Sequence, residues 1–361
     1  MKLFLDLHVI QTVPPSCLNR DDTGSPKTAV YGGVRRARVS SQAWKKAMRT
    51  MFKEHLDEGE LSYRTFKIFD LVAAEIKKLS PGHSDEDALA LAKKVFEKAK
   101  VKPSSKDAGK SDALFFISGQ QAKNLAALAI GDLEGKEAEK AVIQELKNRN
   151  GIEVALFGRM VASNPEINCD ASAQVAHAIS THKIENEYDY FTAVDDCSKE
   201  DHAGAGMIGT VEYNAATLYR YANIAVHELF SQLTNDTAAL EKAIREFIRA
   251  FVLSIPTGKQ NTFAAHTFPH AVMVALRTDR PLNLADAFES PIISNEGYAA
   301  KSALAFAKHA QAAYECFCAS PTSSYVIGSL PEELGRKTNM DDLISRAASE
   351  AVGMVQERVQ A

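Results

Sequence analysis

The chain opens on strict alternation. Leu3, Leu5, Leu7 and Val9 share one side of a two-residue period, and Phe4, Asp6, His8 and Ile10 share the other. This predicts a strand, ended by Pro14-Pro15. Asp22-Thr-Gly24-Ser-Pro26 and Gly32-Gly33 then signal turns. Ser40 or Ser41 is placed to cap a helix, along which Trp44, Ala47, Met48, Met51, Phe52 and Leu56 make one apolar face. Lys45, Arg49 and Lys53, four apart, form a row beside that face.

From about Asp57 to Arg159 the period becomes helical and the composition strongly charged, with Val101 to Ala113 as a polar loop. Strand-like runs resume in GIEVALFGRM, AQVAHAISTH and TLYRYANIAV. An amphipathic helix follows over Thr234 to Ile255, then a strand over His270 to Thr278. Two helices, Tyr298 to Cys318 and Met340 to Val359, come last. The order predicts an antiparallel α+β sandwich interrupted by a helical insertion. Asp195 to Tyr213 is glycine-rich and poor in large apolar residues, so it reads as a projecting hairpin or loop. Phe191, just before it, reads as core.

Composition narrows the class. A chain of 361 residues, 45% hydrophobic and 24% charged, buries a large core and suggests about two domains. No run is long and apolar enough for a membrane helix, and the N-terminus lacks a signal-peptide pattern. The five cysteines are sparse, and Cys316-Phe-Cys318 has no second pair at zinc spacing. A reduced cytoplasmic protein without structural metal or cofactor is expected.

Charge is uneven. Ser16 to Lys53 holds nine cations (Arg20, Lys27, Arg35, Arg36, Arg38, Lys45, Lys46, Arg49, Lys53) against Asp21 and Asp22, a local excess of seven. The whole chain is −4, so the remainder carries −11. Positive charge gathered beside glycines in an acidic protein points to a polyanion such as a nucleic-acid backbone. Arg35, Arg36 and Arg38 sit next to Gly32-Gly33, where backbone amides and guanidinium groups can meet phosphates together. Ser40, Ser41 and Gln42 add neutral donors at a helix N-terminus. Any one of these residues is more often a solvated surface charge; the set is what carries weight.

Other motifs carry less. Gly204-Ala-Gly206-Met-Ile-Gly209 matches a dinucleotide fingerprint but has no strand before it and no helix after it, and Pro256-Thr-Gly-Lys-Gln lacks parts of a P-loop. Tyr219 and Tyr221 share a strand face opposite Arg220. They either stack bases on an open sheet or pack against a helix. His8, His177 and His182 read as structural histidines. Asp195-Asp196 could bind a divalent ion or act in acid–base chemistry, but nothing completes such a site.

The strings SCLNRDD, YGGVRRARVSSQ, GRM, AHAISTH, YFTAVDD and YRYANI, in this order from Ser16 to Ile224, with Lys259-Gln260 beyond them, resemble the backbone subunit of the type I-E Cascade complex, the CasC family of RAMP proteins in CRISPR antiviral defense. The resemblance implies a hand: an RRM-like, ferredoxin-like palm (1–56 and 166–361) with helices on one side, helical fingers (57–165), and a thumb (195–213). It implies several copies polymerised head to tail along a CRISPR RNA guide, kinking it at regular intervals and presenting it for pairing with target DNA, with other Cascade subunits alongside. Motif positions suggest Arg20, Lys27, Ser40, Gln42, Lys45, Arg49, Lys259 and Gln260 as RNA contacts. Arg35, Arg36 and Arg38 either join them or brace the fold, and Met207 and Ile208 are candidates for the thumb's wedge between bases. The subunit of this subtype is not a nuclease. The competing expectations are a thumb-aspartate endoribonuclease using Asp195 or Asp196, and a general single-strand binder.

Overall fold

The computed structural model describes residues 2–107, 109–131, 135–148, 150–193 and 207–360. Its strands are β1 (Phe4–Ser16), β2 (Thr28–Tyr31), β3 (Val34–Val39), β4 (Ser62–Thr65), β5 (Phe115–Ser118), β6 (Ala173–Val175), β7 (Ala178–Ser180), β8 (Glu187–Ala193), β9 (Met207–Ala225), β10 (Ala271–Arg277), β11 (Ser323–Gly328) and β12 (Arg336–Lys337). Its helices are α1 (Ser41–His55), α2 (Ile68–Leu79), α3 (Asp85–Lys98), α4 (Gly119–Ile130), α5 (Gly135–Asn148), α6 (Ile152–Phe157), α7 (Val226–Gln232), α8 (Thr237–Leu253), α9 (Gln260–Phe263), α10 (Ala299–Cys316) and α11 (Met340–Gln360). The result is an α+β fold around one large, mostly antiparallel sheet ordered β12-β11-β10-β1-β9-β7-β3-β2. Strands β6 and β8 also pair with β9, and only β11 and β12 run parallel. No helix among the described residues is long and apolar enough to cross a membrane.

The alternation read in β1 marks two buried faces. Leu3, Leu5, Leu7 and Val9 join Leu218, Ile224, Val274 and Leu276 beneath α1, α8 and α11. On the other face Ile10, Tyr219, Tyr221 and Met273 pack against α10 and the 3-10 turn Ala285–Phe288. Helices on one side only was the expectation, and α10 overturns it. Tyr219 and Tyr221 are therefore core, in ring contact with Phe288, Phe306 and His8, and they are not free to stack bases.

Arg220 points the opposite way, into the α1–α8 face. Its guanidinium carbon lies 3.7 Å from the Trp44 ring centroid and 4.9 Å from that of Phe251. It donates to Gln11 Oε1 and to the Phe251 and Val252 carbonyls at the end of α8. Burial pulls its pKa down to about 9, so it remains a cation at neutral pH.

The run GIEVALFGRM, expected as a strand, is helix α6. A short apolar run cannot by itself separate a strand from a buried helix. Here Ile152 to Leu156 are all buried, and Gly158, at φ +79°, ends the turn. Residues 57–165 contain α2 to α5 around their own apolar cluster, including Phe69, Phe96, Ile117 and Leu125, together with the two-stranded antiparallel sheet β4–β5 that helical periodicity concealed. Phe191 is exposed on β8 rather than core.

The face under α10 holds two titratable groups of opposite sign. Burial raises the Asp6 carboxyl to about 7, although Leu282 N and Tyr221 Oη donate to it. Burial lowers His8 to about 3, with Tyr219 Oη 2.9 Å from its Nδ1. An acid whose pKa is higher folded than unfolded loses stability as pH rises between the two values. A histidine depressed by folding gains stability over its own interval, so the two partly cancel in the parent chain. Asp6→Asn removes the first term. Its stability relative to the parent, read from urea unfolding, should rise from pH 4 to pH 7 by up to roughly 4 kcal/mol, whatever the offset at pH 4. A gap independent of pH would show that Asp6 titrates normally.

Candidate nucleic-acid interface

Helix α1 is the axis of the site. Ser40 caps it, accepting from Ala43 N, and its own amide donates to Asn19 Oδ1 at 2.9 Å. That bond ties the helix start to the loop of residues 17–27. The amides of Ser41 and Gln42 are among those a helix leaves unpaired, and the first turn carries no acid to compete with an incoming anion. Trp44, Met48 and Phe52 anchor the opposite side in the core.

Two grooves flank the helix. The first, of about 910 Å³, is walled by Gln42, Lys46 and Thr50 of α1, by Asn19 to Gly24 with Lys27, and by Pro256 to Lys259. It gathers Arg20, Lys27, Lys46 and Lys259. Asp21 and Asp22 also line it; the Asp21 carboxylate is turned to its own loop, accepting from Thr23 Oγ1 at 2.7 Å and from the amides of Thr23 and Ser25. Those bonds, the Thr23 hydroxyl foremost, hold its pKa below the usual carboxylate range.

The second groove, of about 570 Å³, lies between α1 and the 57–165 block. Gln42, Lys45, Arg49 and Arg64 supply polar groups, and Leu114, Phe116, Phe157 and Met160 supply an apolar wall. Burial lowers the Lys45 pKa, and its Nζ sits 5.7 Å from the Phe157 ring centroid. Arg49 is only partly available. It pairs with Glu153, donates to Ser62 O, and stacks 4.6 Å over Phe116.

The structure thus brings together Arg20, Lys27, Ser40, Gln42 and Lys259 in one groove, and Gln42, Lys45 and Arg49 in the other. It separates the rest. Arg36 is fully buried, donating to the carbonyls of Tyr31, Ser180, Phe288 and Glu289. It clamps the β2–β3 hairpin to the sheet and has no surface for a phosphate, which overturns its candidacy as an RNA contact. Arg38 donates to Thr28 O and meets His177 Nδ1 at 3.1 Å. Arg35 is exposed on β3, apart from both grooves. Gln260 uses both ends of its amide on Pro256 O and Ala265 N, so its role is to hold the α9 turn. Ser40 is buried, and its hydroxyl is spent on the cap.

Of the thumb, β8 and the start of β9 form the two arms of a hairpin, pairing Glu187 with Tyr213 through Ala193 with Met207. Ile208 is exposed there. Residues 194–206, with Asp195 and Asp196, lie outside the described residues. Sequence reading counted Lys46 among the basic segment's cations but did not place it among the RNA contacts, although its i, i+4 spacing from Gln42 was the available signal. It also passed over the exposed Tyr188 and Tyr190, whose alternation with Glu187 and Asp189 marks a two-faced ribbon, and it took the exposed Phe191 for core.

These features define an α+β protein with a basic, groove-flanked helix. Residues 5–349 match the sequence model of a family described as CT1975-like protein, and the chain belongs to that family. A solved chain described as "CRISPR RNA-guided surveillance complex, pre-nicking" superimposes with a TM-score of 0.83 at 33% identity, covering 96% of this chain and 100% of that one. Another, described as "CRISPR RNA-guided surveillance complex", gives 0.63 at 29% identity, covering 96% and 99%. No curated protein matches.

The joint between the walls of the first groove is testable. A Cβ on Gly258 would lie 2.2 Å from Leu18 O and 2.6 Å from Cys17 O, so only glycine lets the two loops touch. Gly258→Ala should cost about 1–3 kcal/mol in thermal or urea unfolding. Gly24→Ala, strained at φ +92° but with nothing within 4 Å, should cost about 1 kcal/mol. Equal losses would show that the loops do not meet there.

Proposed function

We propose that this chain is a CRISPR RNA-binding backbone subunit of a Cascade surveillance complex of type I-E. Several copies would line up along the guide, kink it at intervals through the thumb hairpin, and present it for pairing with target DNA beside other subunits. The observation that carries the reading is α1. Its capped, acid-free N-terminus opens between two grooves lined by Arg20, Lys27, Lys46 and Lys259 on one side and Lys45, Arg49 and Arg64 on the other. Such a site grips phosphates without touching base edges, as a guide of arbitrary sequence requires. Likeness over nearly the whole length to chains of RNA-guided complexes supports it.

The strand order β10-β1-β9-β7, with α1 and α8 against one face, supports an RRM-like palm. Unlike an open RRM sheet, its second face is filled by α10. Contact with RNA would then fall to loops and helix ends, with the exposed hairpin residues Tyr188, Tyr190, Phe191 and Ile208 as candidates for insertion between bases. Copies joined head to tail by a heterologous contact would form an open filament. The chain acts as scaffold, and cutting belongs to partners.

The test is mass by light scattering on mixtures with single-stranded RNAs of increasing length. Mass should rise in steps with length, independent of sequence, and the RNA should stay intact. One copy at every length would indicate a simple binder, and cleavage at regular spacing would indicate a ribonuclease. Lys46→Ala should weaken binding about equally across sequences and flatten the salt dependence by roughly 0.7 to 1 unit. An unchanged slope removes Lys46 from the contact set.

A further inference from the structure

The resemblance implied Arg49 as a phosphate contact, but its surroundings give it a second task. It projects from α1 into a three-way joint. Glu153, in the first turn of α6 and 1% exposed, takes the Arg49 Nε in an ion pair on Oε2 and accepts from Ser62 N at 2.9 Å on Oε1. Arg49 Nη2 donates to Ser62 O at 3.1 Å. Both backbone groups of the first residue of β4 are therefore held, one by each partner. Ser62 pairs in register with Ser118 of β5, and Phe116 of β5 lies under the Arg49 guanidinium. The backbones are pressed close at the same point: a Cβ on Gly151, just before α6, would come 2.7 Å from Ser118 Cβ and 2.9 Å from Ser62 Oγ. Four residues after Glu153, the same helix supplies Phe157, which faces Lys45 in the second groove.

We propose that Glu153 is a positioning residue for nucleic-acid binding. Through Arg49 and Ser62 it fixes the β4–β5 sheet and α6 against α1, so that the second groove stands preformed in the free chain. Lys45 and Arg64 then meet the strand as phosphate cations, and the main duty of Arg49 is to hold the wall. An anion buried beside the groove is the wrong sign for a phosphate contact and the right one for a clasp. The inference rests on the guide-binding reading, but half of its test is read without RNA.

Two full-length variants decide it. Glu153→Gln keeps the size and an acceptor for Ser62 N but loses the ion pair. Arg49→Lys keeps the charge but loses the fork that spans Glu153 and Ser62. In the free protein, amide exchange at residues 62–65 and 115–118 should accelerate in both variants while β1, β9 and β10 stay protected. Affinity for a single-stranded RNA of fixed length and mixed sequence should fall roughly tenfold, with the slope against log salt unchanged. Tighter binding with a steeper slope in Glu153→Gln would overturn the proposal, because Glu153 would then merely mask a phosphate-binding arginine. Parental exchange in both variants would overturn it too. If Glu153→Gln fails to fold, Arg49→Lys carries the decision: parental exchange and affinity in that variant sink the idea. If the parent chain binds no RNA, the functional reading falls, and exchange alone still decides the joint.

Discussion

One buried guanidinium sets the geometry on which the rest depends. Arg220 lies between the Trp44 and Phe251 rings and donates to the last carbonyls of α8. Among the described residues it has no carboxylate partner. The negative end of the α8 dipole and the two ring faces stabilise its charge instead. Its partners are also the roots of the interface. Trp44 sits in α1 immediately before Lys45 and Lys46, and α8 exits toward Pro256 to Lys259, the opposite wall of the first groove. The distance between the two walls is therefore set from inside the core, where packing tolerates little adjustment.

Other arginines repeat the device. Arg36 gathers four carbonyls where the β2–β3 hairpin meets the loop after the 3-10 turn. Arg159, its pKa lowered to about 10 by burial, binds the carbonyls of Phe116, Leu146 and Ile167 and so knits β5 to the end of α5. A planar fork with five donors suits carbonyls converging from several loops as well as it suits phosphates. This is why a count of cations along the chain overstates the charge offered to a ligand. In YGGVRRARVSSQ, neighbouring arginines have unrelated duties because a strand sends successive side chains to opposite faces.

That contrast marks what the sequence could show. The first strand, the Ser40 cap, the apolar side of α1 and the helices at residues 237–253, 299–316 and 340–360 were legible, because each rests on a local period or a local hydrogen bond. The clustering of Arg20, Lys27, Gln42 and Lys259 followed from motifs. What stayed hidden depends on tertiary partners. IEVALF became a helix between Gly151 and Gly158, its first five residues buried and Phe157 left in the wall of the second groove, and Tyr219 and Tyr221 became core because α10, some eighty residues later, covers them. Arg49 and Glu153 are more than one hundred residues apart, and no period links them.

The cover that α10 lays over the sheet has a consequence for information. A sheet filled on both faces keeps no open platform on which one base could be compared with another. Any strand lying along α1 would be gripped by its backbone and left unread. On the guide-binding reading, such a protein would stay constant while the sequence of the bound strand changed without limit.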